Sequence, residues 1–375
     1  MPSRRSILIS ATAISALTVA APTSVWAEEP LPVVATFSIL GDMVAEIGGE
    51  HIALTTLVGP DGDAHVYQPT PQDARAVADA ELLFMNGLEF EGWLERLAEA
   101  ASFDGELVVA TTGIEPIEFD GHEGHDDHDD HDDHDDEHAD HDKHDDDEDH
   151  EHDEDEHDDH DHDGHDDHGD DKDHDDHDHD KEDDHDDHDD HAGHEGHDHG
   201  EFDPHAWQSL DAAIIYADNI AAGLARIDPD NAGDYYANRA SFVAQIEALE
   251  EEIHALMDAI PADKRTVVTS HDAFGYFGRD HNLEFLAPQG LSTNSEASAA
   301  DVAALIEQIK EDGIAAVFVE SLTDSRLIEQ IANETGATIG GTLYPGALSG
   351  PEGPAPTYLD MMRHNATTLS QALSN

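Results

Sequence analysis

The sequence predicts an α/β protein of two lobes, each a mainly parallel sheet flanked by helices, with one long helix joining them. Three observations lead there. Short apolar strands alternate with helical stretches between residues 33 and 110, a single unbroken helical spacing runs from about 230 to 260, and the alternation restarts at Thr266. Strands that alternate with helices indicate parallel sheets covered on both faces.

The elements follow in order. Val33 to Phe37 is a β-branched, apolar run and reads as a buried strand, followed by a helix over Ile39 to Ile47. A second strand, Ile52 to Val58, leads into the loop Gly59-Pro60-Asp61-Gly62-Asp63-Ala64-His65. Thr70-Pro71-Gln72-Asp73 starts a helix, with a hydroxyl cap, a proline in the first turn and an acid three residues on. Leu82 to Met85 and Leu107 to Ala110 are further strands. Phe242, Ile246, Leu249, Ile253, Leu256 and Ile260 are spaced 4, 3, 4, 3, 4, one face of a long amphipathic helix. Strands then come at Thr266 to Thr269, Leu283 to Leu286 and Ile314 to Val319, with a helix over Ser298 to Lys310 opened by Ser298 and Asp301 as a capping box. A rigid spine between two such lobes sets them face to face around a cleft.

Charge divides the chain more sharply than hydropathy does. The 375 residues hold 90 acids against 15 bases, a formal charge of −75. Residues 121–200 alone carry 24 of the 31 histidines, 44 acids and 3 lysines, with Ala139 and Ala192 as their only apolar side chains. The rest is about 47% hydrophobic, an ordinary value for a folded protein. Nucleic acid is excluded as a partner, since phosphate is repelled by this surface and no basic patch exists. With no cysteine in the chain, disulfides, thiolate zinc fingers, iron–sulfur clusters and cysteine nucleophiles are all excluded.

The sequence therefore divides as follows. Residues 1–27 read as a secretory signal peptide, with Arg4 and Arg5, an apolar run from Ile7 to about Ala21, and small residues around Ala27. Ser3-Arg4-Arg5-Ser6 has some twin-arginine character, so both general and twin-arginine export stay open. A soluble periplasmic protein, cleaved before Glu28 and without a lipid anchor, is the expectation. Residues 28–120 plus 201–229 form the N-terminal lobe, 121–200 an insertion, 230–260 the linking helix and 261–375 the C-terminal lobe. The insertion lacks the apolar side chains that would offset its ordering entropy, and its acids repel one another, so it is expected to be disordered without metal.

Outside the insertion stand His51, His65, His205, His254, His271, His281 and His364. His65 and His271 lie on loops after strands, where open α/β sheets bind ligands. His205 sits in Asp203-Pro204-His205-Ala206-Trp207, before a helix. Neutral imidazoles on separate rigid loops suit a borderline metal ion. Taken alone, each is more often a structural or solvated histidine than a ligand. His254 falls between the apolar positions of the long helix and is expected to face solvent, while His51, His281 and His364 have no partner motif.

Four segments carry a resemblance. They are Gly59 through Thr70, Asp203-Pro204-His205-Ala206-Trp207, Ser270-His271-Asp272-Ala273-Phe274-Gly275-Tyr276-Phe277, and Gly353-Pro354-Ala355-Pro356-Thr357-Tyr358-Leu359-Asp360-Met361-Met362. With the helical spine they resemble the substrate-binding proteins that deliver zinc or manganese to ABC transporters, specifically the periplasmic zinc-uptake (ZnuA-like) type. The resemblance implies two α/β lobes joined by a single rigid helix, with the metal between them and three histidine ligands at His65, His205 and His271. It also implies a membrane permease with its cytoplasmic ATPase as partners, with other periplasmic zinc chaperones as further candidates, and a monomeric chain.

In manganese-tuned members the third histidine is a carboxylate and a C-terminal loop adds an aspartate. Here the third position is His271, and Gly341 to Ser349 contains no acid, so the resemblance implies zinc as the carried ion. Some relatives use an acid just before the first histidine. Ala64 stands there instead, which leaves the fourth coordination position to water or to a histidine of the insertion. Glu320, ending a strand, is a candidate to orient a ligating imidazole; the alternative is a salt-bridged strand end. The insertion repeats His-Asp-Asp, and His125, His128, His131, His134, His174, His177, His185 and His188 are candidate weak auxiliary zinc sites. Its carboxylates raise the local cation concentration, and protons compete for its imidazoles, so capture weakens as pH falls. A plain acidic linker would need no imidazoles.

Three other roles remain. A three-histidine site with an open position is compatible with hydrolysis, but no His-Glu-x-x-His motif or clear general base is present. A zinc buffer or metallochaperone without a transporter has the same sequence needs, and adhesion is a third role for such proteins.

Overall fold

A computed structural model describes residues 29–119, 202–294 and 296–374. The signal peptide (1–27) and the histidine-rich insertion (121–200) expected from the sequence lie outside the described residues. Strands β1 (Leu31–Phe37), β2 (Ile52–Val58), β3 (Leu82–Met85) and β4 (Glu106–Val109) form a fully parallel sheet in the order β2-β1-β3-β4. The position of each strand follows from its side chains. Central β1 is apolar almost throughout and buried almost throughout, whereas edge strand β2 alternates between partly buried and exposed over its first five residues. Helices α1 (Ser38–Gly48), α2 (Pro71–Asp79) and α3 (Leu94–Ala101) connect the strands. Thr70 caps α2 in a reciprocal box with Asp73, with Pro71 at the first helical position.

The sheet gains a further helix from beyond the insertion. The chain returns at Phe202, which bridges antiparallel to Glu118, while the Asp203 amide donates to the Ile117 carbonyl at 2.9 Å. Then α4 (Leu210–Ile227), capped by Ser209, packs against α1, β3 and β4.

Helix α5 (Ala232–Asp258) is the linking helix. Its 27 residues span about 40 Å at 1.5 Å per residue. The expected stripe is buried at Phe242, Ile246, Leu249 and Ile253, and Tyr235, Val243 and Met257 extend it. Ile260 is buried as well, but beyond the helix end and just before Pro261. The stripe faces α4 and α1 on one side and α9 (Tyr358–Leu373) on the other.

The second sheet holds β5 (Thr266–Val268), β6 (Glu284–Leu286), β7 (Ala316–Glu320) and β8 (Thr338–Leu343), again all parallel, in the order β6-β5-β7-β8. Helices α6 (Gly275–His281), α7 (Ala299–Asp312) and α8 (Arg326–Thr335) precede α9. Two local expectations need correction. Gly341 to Leu343 are strand rather than loop, because β8 continues alongside β7 to Leu343. Ser298 caps α7 through the Asp301 amide, but the Asp301 carboxylate accepts from the Ser298 hydroxyl instead of reaching back to its amide.

Hydrogen bonds join the two lobes away from the linker. The Trp207 indole and Gln208 amide both donate to the Pro345 carbonyl, at 2.8 and 2.7 Å, and the Tyr358 hydroxyl donates to the Trp207 carbonyl at 2.7 Å. The Asp61 amide donates to the Leu348 carbonyl, and the Leu348 amide to the Ser38 hydroxyl. The bonds of Asp61, Leu348 and Ser38 lie at the ends of β1 and β2, and those to Pro345 just beyond β8, which draws the C-terminal edges of both sheets toward each other.

Candidate metal centre

Three loops meet at that seam. The first leaves β2 through Asp61, whose φ of +57° an aspartate tolerates well, and Gly62, where a Cβ would stand 2.9 Å from the Gly59 carbonyl oxygen. It ends at His65, whose amide donates to Asp63 Oδ1 at 2.9 Å. The other oxygen of Asp63 accepts from Thr293 Oγ1 at 2.7 Å, so both carboxylate oxygens are engaged in bracing the loop. Ala64 is buried, and its carbonyl accepts from the Trp93 indole at 2.8 Å.

The second loop opens α4. One oxygen of buried Asp203 accepts from both the amide and the Nδ1 of His205, at 2.9 and 2.8 Å. The third loop leaves β5. Glu320, the last residue of the neighbouring strand β7, accepts from the amides of Ser270 and His271 with one oxygen and pairs with His271 Nδ1 through the other. Both carboxylates thus hold the Nδ1 side of an imidazole and leave its Nε2 lone pair free. Glu320 was legible in the sequence as a candidate; Asp203 was quoted in a motif but given no task. Its signal was available, since a carboxylate two residues before a histidine commonly bonds the following amide.

The three rings converge. Centroids lie 5.2 Å (His65–His205), 5.9 Å (His65–His271) and 5.4 Å (His205–His271) apart, and one ring nitrogen from each falls within 4.8 Å of the others. The Nε2 atoms of His65 and His205 stand 3.2 Å apart. Phe90 packs edge-on against both rings and Trp207 against His205, forming an apolar wall. His205 and His271 are buried and His65 is half-buried, so solvent reaches the cluster on the His65 side.

Burial, and then the neighbouring imidazoles, drive the His65 and His205 pKa values well below the usual range, so both are neutral near pH 7. At His271 burial acts in the same direction, but the charge and hydrogen bond of Glu320 outweigh it and raise the pKa. Burial pushes Asp203 up to about 7. Two neutral imidazoles and a third tied to a carboxylate form a nitrogen donor set with nowhere to discard its lone pairs except onto a proton or a cation. Among the described residues no fourth carboxylate or imidazole joins them. His51 bonds Asp234 and His364 bonds the Thr342 carbonyl, both away from the cluster, and the eight candidate histidines of the insertion lie outside the described residues.

Residues 33–372 match the model of the family described as zinc-uptake complex component A, periplasmic, and the chain belongs to that family. It is a metal-binding, substrate-binding protein of an ABC transporter, with a membrane permease and an ATPase as partners, and not an enzyme. Such proteins work outside the cytoplasm, and no helix among the described residues is long and apolar enough to cross a membrane. The chain is similar to the manganese-binding lipoprotein MntA of Halalkalibacterium halodurans, at 27% identity over 92% of this chain and 89% of that one. It is also similar to the manganese-bound periplasmic metal binding protein from Candidatus Liberibacter asiaticus, at 26% identity and a TM-score of 0.65, covering 91% of this chain and 98% of that one. The periplasmic zinc binding protein TroA from Treponema pallidum shares the fold, with a TM-score of 0.69 over 93% of this chain and 100% of that one, at 22% identity.

Proposed function

We propose that the chain captures zinc between its lobes with His65, His205 and His271 and hands it to the permease. The observation that carries this reading is the donor set. All three converging groups are imidazoles, and the nearby carboxylates Asp63, Asp203 and Glu320 are occupied in bonds to histidine amides and Nδ1 atoms. A nitrogen-only set suits zinc, whereas manganese favours oxygen ligands. The loop from Tyr344 to Ser349 supports the same choice, because it brings no acid to the seam. Under this reading the fourth position is taken by water or an insertion histidine, and the insertion serves as a zinc-collecting tract that feeds the cleft.

The test is zinc calorimetry on the mature chain, with manganese and nickel as competitors. Replacing His65, His205 and His271 together by alanine is expected to abolish one tight stoichiometric site and to spare weak binding at several sites. A tight site that survives the triple replacement would sink the ligand assignment; manganese displacing zinc at equal concentration would sink the choice of cargo. Removing residues 121–200 separates the carrier from a zinc buffer: a carrier keeps its tight site, while a buffer loses all of it.

A further inference from the structure

The described residues hold a second convergence of ligating side chains, where the C-terminal end of α6 meets α5. Glu250 and His254 stand one turn apart on α5, and His281 is the last residue of α6. One donor atom from each lies within 4.8 Å of the others. The His254 and His281 rings are 4.9 Å apart between centroids, and His254 Nε2 is 2.8 Å from Glu250 Oε1. A helical Glu–His pair at this spacing is ordinary on a surface. His281 is not ordinary. It is 5% exposed, packs on Phe277 at 4.4 Å, and its Nδ1 is buried with no hydrogen-bond partner. Glu250 Oε2 is likewise buried and without a partner. Two of the three side chains therefore carry an orphaned polar atom, and such atoms are costly unless something absent from the chain satisfies them.

The surroundings favour a cation. Asp211 and Asp280 act on Glu250, and Asp258 and Asp280 act on His281, all as negative charges. Of the nearby cations, the Arg279 guanidinium is turned to Asp280 and to the face of Tyr276, and the Arg265 guanidinium donates to the carbonyls of His281, Asn282 and Met257. We propose that Glu250, His254 and His281 form a second metal site, distinct from the cleft, that takes a borderline divalent cation such as zinc and pins the end of α6 to the linking helix. Two imidazoles and one carboxylate, with water completing the shell, are a donor set that zinc accepts. The site rests on geometry independent of the cleft reading. Its ion holds the far end of the helix that begins four residues after His271, so it acts as a structural brace beneath one wall of the cleft.

The test must resolve single histidines, because the 24 histidines of the insertion are themselves candidate zinc ligands. Acylation of His254 by diethyl pyrocarbonate, read by peptide mass spectrometry on the full mature chain, does so. Zinc at ten times its dissociation constant is expected to slow His254 acylation about tenfold. Glu250→Gln keeps the shape of the site and is expected to remove that protection, as is His281→Gln. Should the buried His281→Gln chain fail to fold, Glu250→Gln, at a partly exposed residue, still decides the matter. Equal rates with and without zinc in the native chain overturn the proposal, and so does protection that survives undiminished in either variant.

Discussion

Single residues decide how the cleft imidazoles are aimed. Asp203 is held from three sides: by the His205 amide and ring, by the Tyr276 hydroxyl at its carbonyl, and by Gly275, where a Cβ would stand 2.7 Å from Asp203 Oδ2. Gly275→Ala is thus expected to push the carboxylate off His205 Nδ1 and weaken zinc binding about 10- to 100-fold, the usual effect of losing such a partner. Chelator competition beside a melting curve checks this; unchanged affinity in a folded variant would show that Asp203 does not orient the ring. Asp42 offers a stability prediction. Its carboxylate accepts from the Tyr358 amide at 2.8 Å, yet burial and then repulsion from Glu46 and Asp360 push its pKa up to about 6. The unfolded chain releases this proton first, so stability falls as pH rises from about 4 to 6 and then levels. Asp42→Asn keeps an acceptor and removes the charge. It is expected to stabilise the fold by up to about 3 kcal/mol at pH 7.5 and by nothing at pH 3.5. Denaturant titrations at both pH values test the sign. Of these residues, the cleft histidines were readable from their places on loops and Asp203 from its place two residues before His205, while His281 was not, since its task depends on partners distant in sequence.

At the scale of the element, α5 is where sequence and structure agree most closely. Its 4, 3, 4 spacing maps onto buried Phe242, Ile246, Leu249 and Ile253, while Leu256, the next position of the stripe, is only half-buried. Long periodic segments signal themselves because a whole face must be apolar to be buried. The same stripe hid the second metal cluster: Glu250 and His254 lie off the buried face, and only packing against α6 supplies the third ligand. Short α6, seven residues with no strong periodicity, could not announce itself. Ile246→Ala is expected to cost about 2–5 kcal/mol, because the cavity would open where α5 meets its neighbours in both lobes. Loss of a single cooperative melting transition in that variant would mean that the linker couples the lobes less tightly than its packing implies.

For the whole molecule, the two lobes are joined through α5 and through hydrogen bonds around the cleft, among them Trp207 and Gln208 to Pro345, Tyr358 to Trp207 and Thr293 to Asp63. A cleft braced on both sides admits small hinge motions more readily than wide opening. In a chain lacking residues 121–200, zinc loading is therefore expected to change the radius of gyration by less than about 1 Å, which small-angle scattering would measure; a larger compaction would require the Trp207–Pro345 bonds to break on release. The two-lobe plan was legible because α/β alternation appears twice. The seam was not, since Pro345 and Trp207 carry no pattern that links them.

The bridge between Glu118 and Phe202 has an evolutionary consequence. It holds residues 118 and 202 beside each other, so the length of the chain between them enters the stability of the lobes as a cost of closing a loop. Loop-closure entropy grows with the logarithm of length, and each doubling costs only about 0.6 kcal/mol. His-Asp-Asp units can then be gained or lost by replication slippage with almost no penalty in stability. Selection on the number of repeats then acts through what the repeats bind rather than through the fold, and natural variants of this chain should differ far more in repeat number than in anything on either side of the bridge.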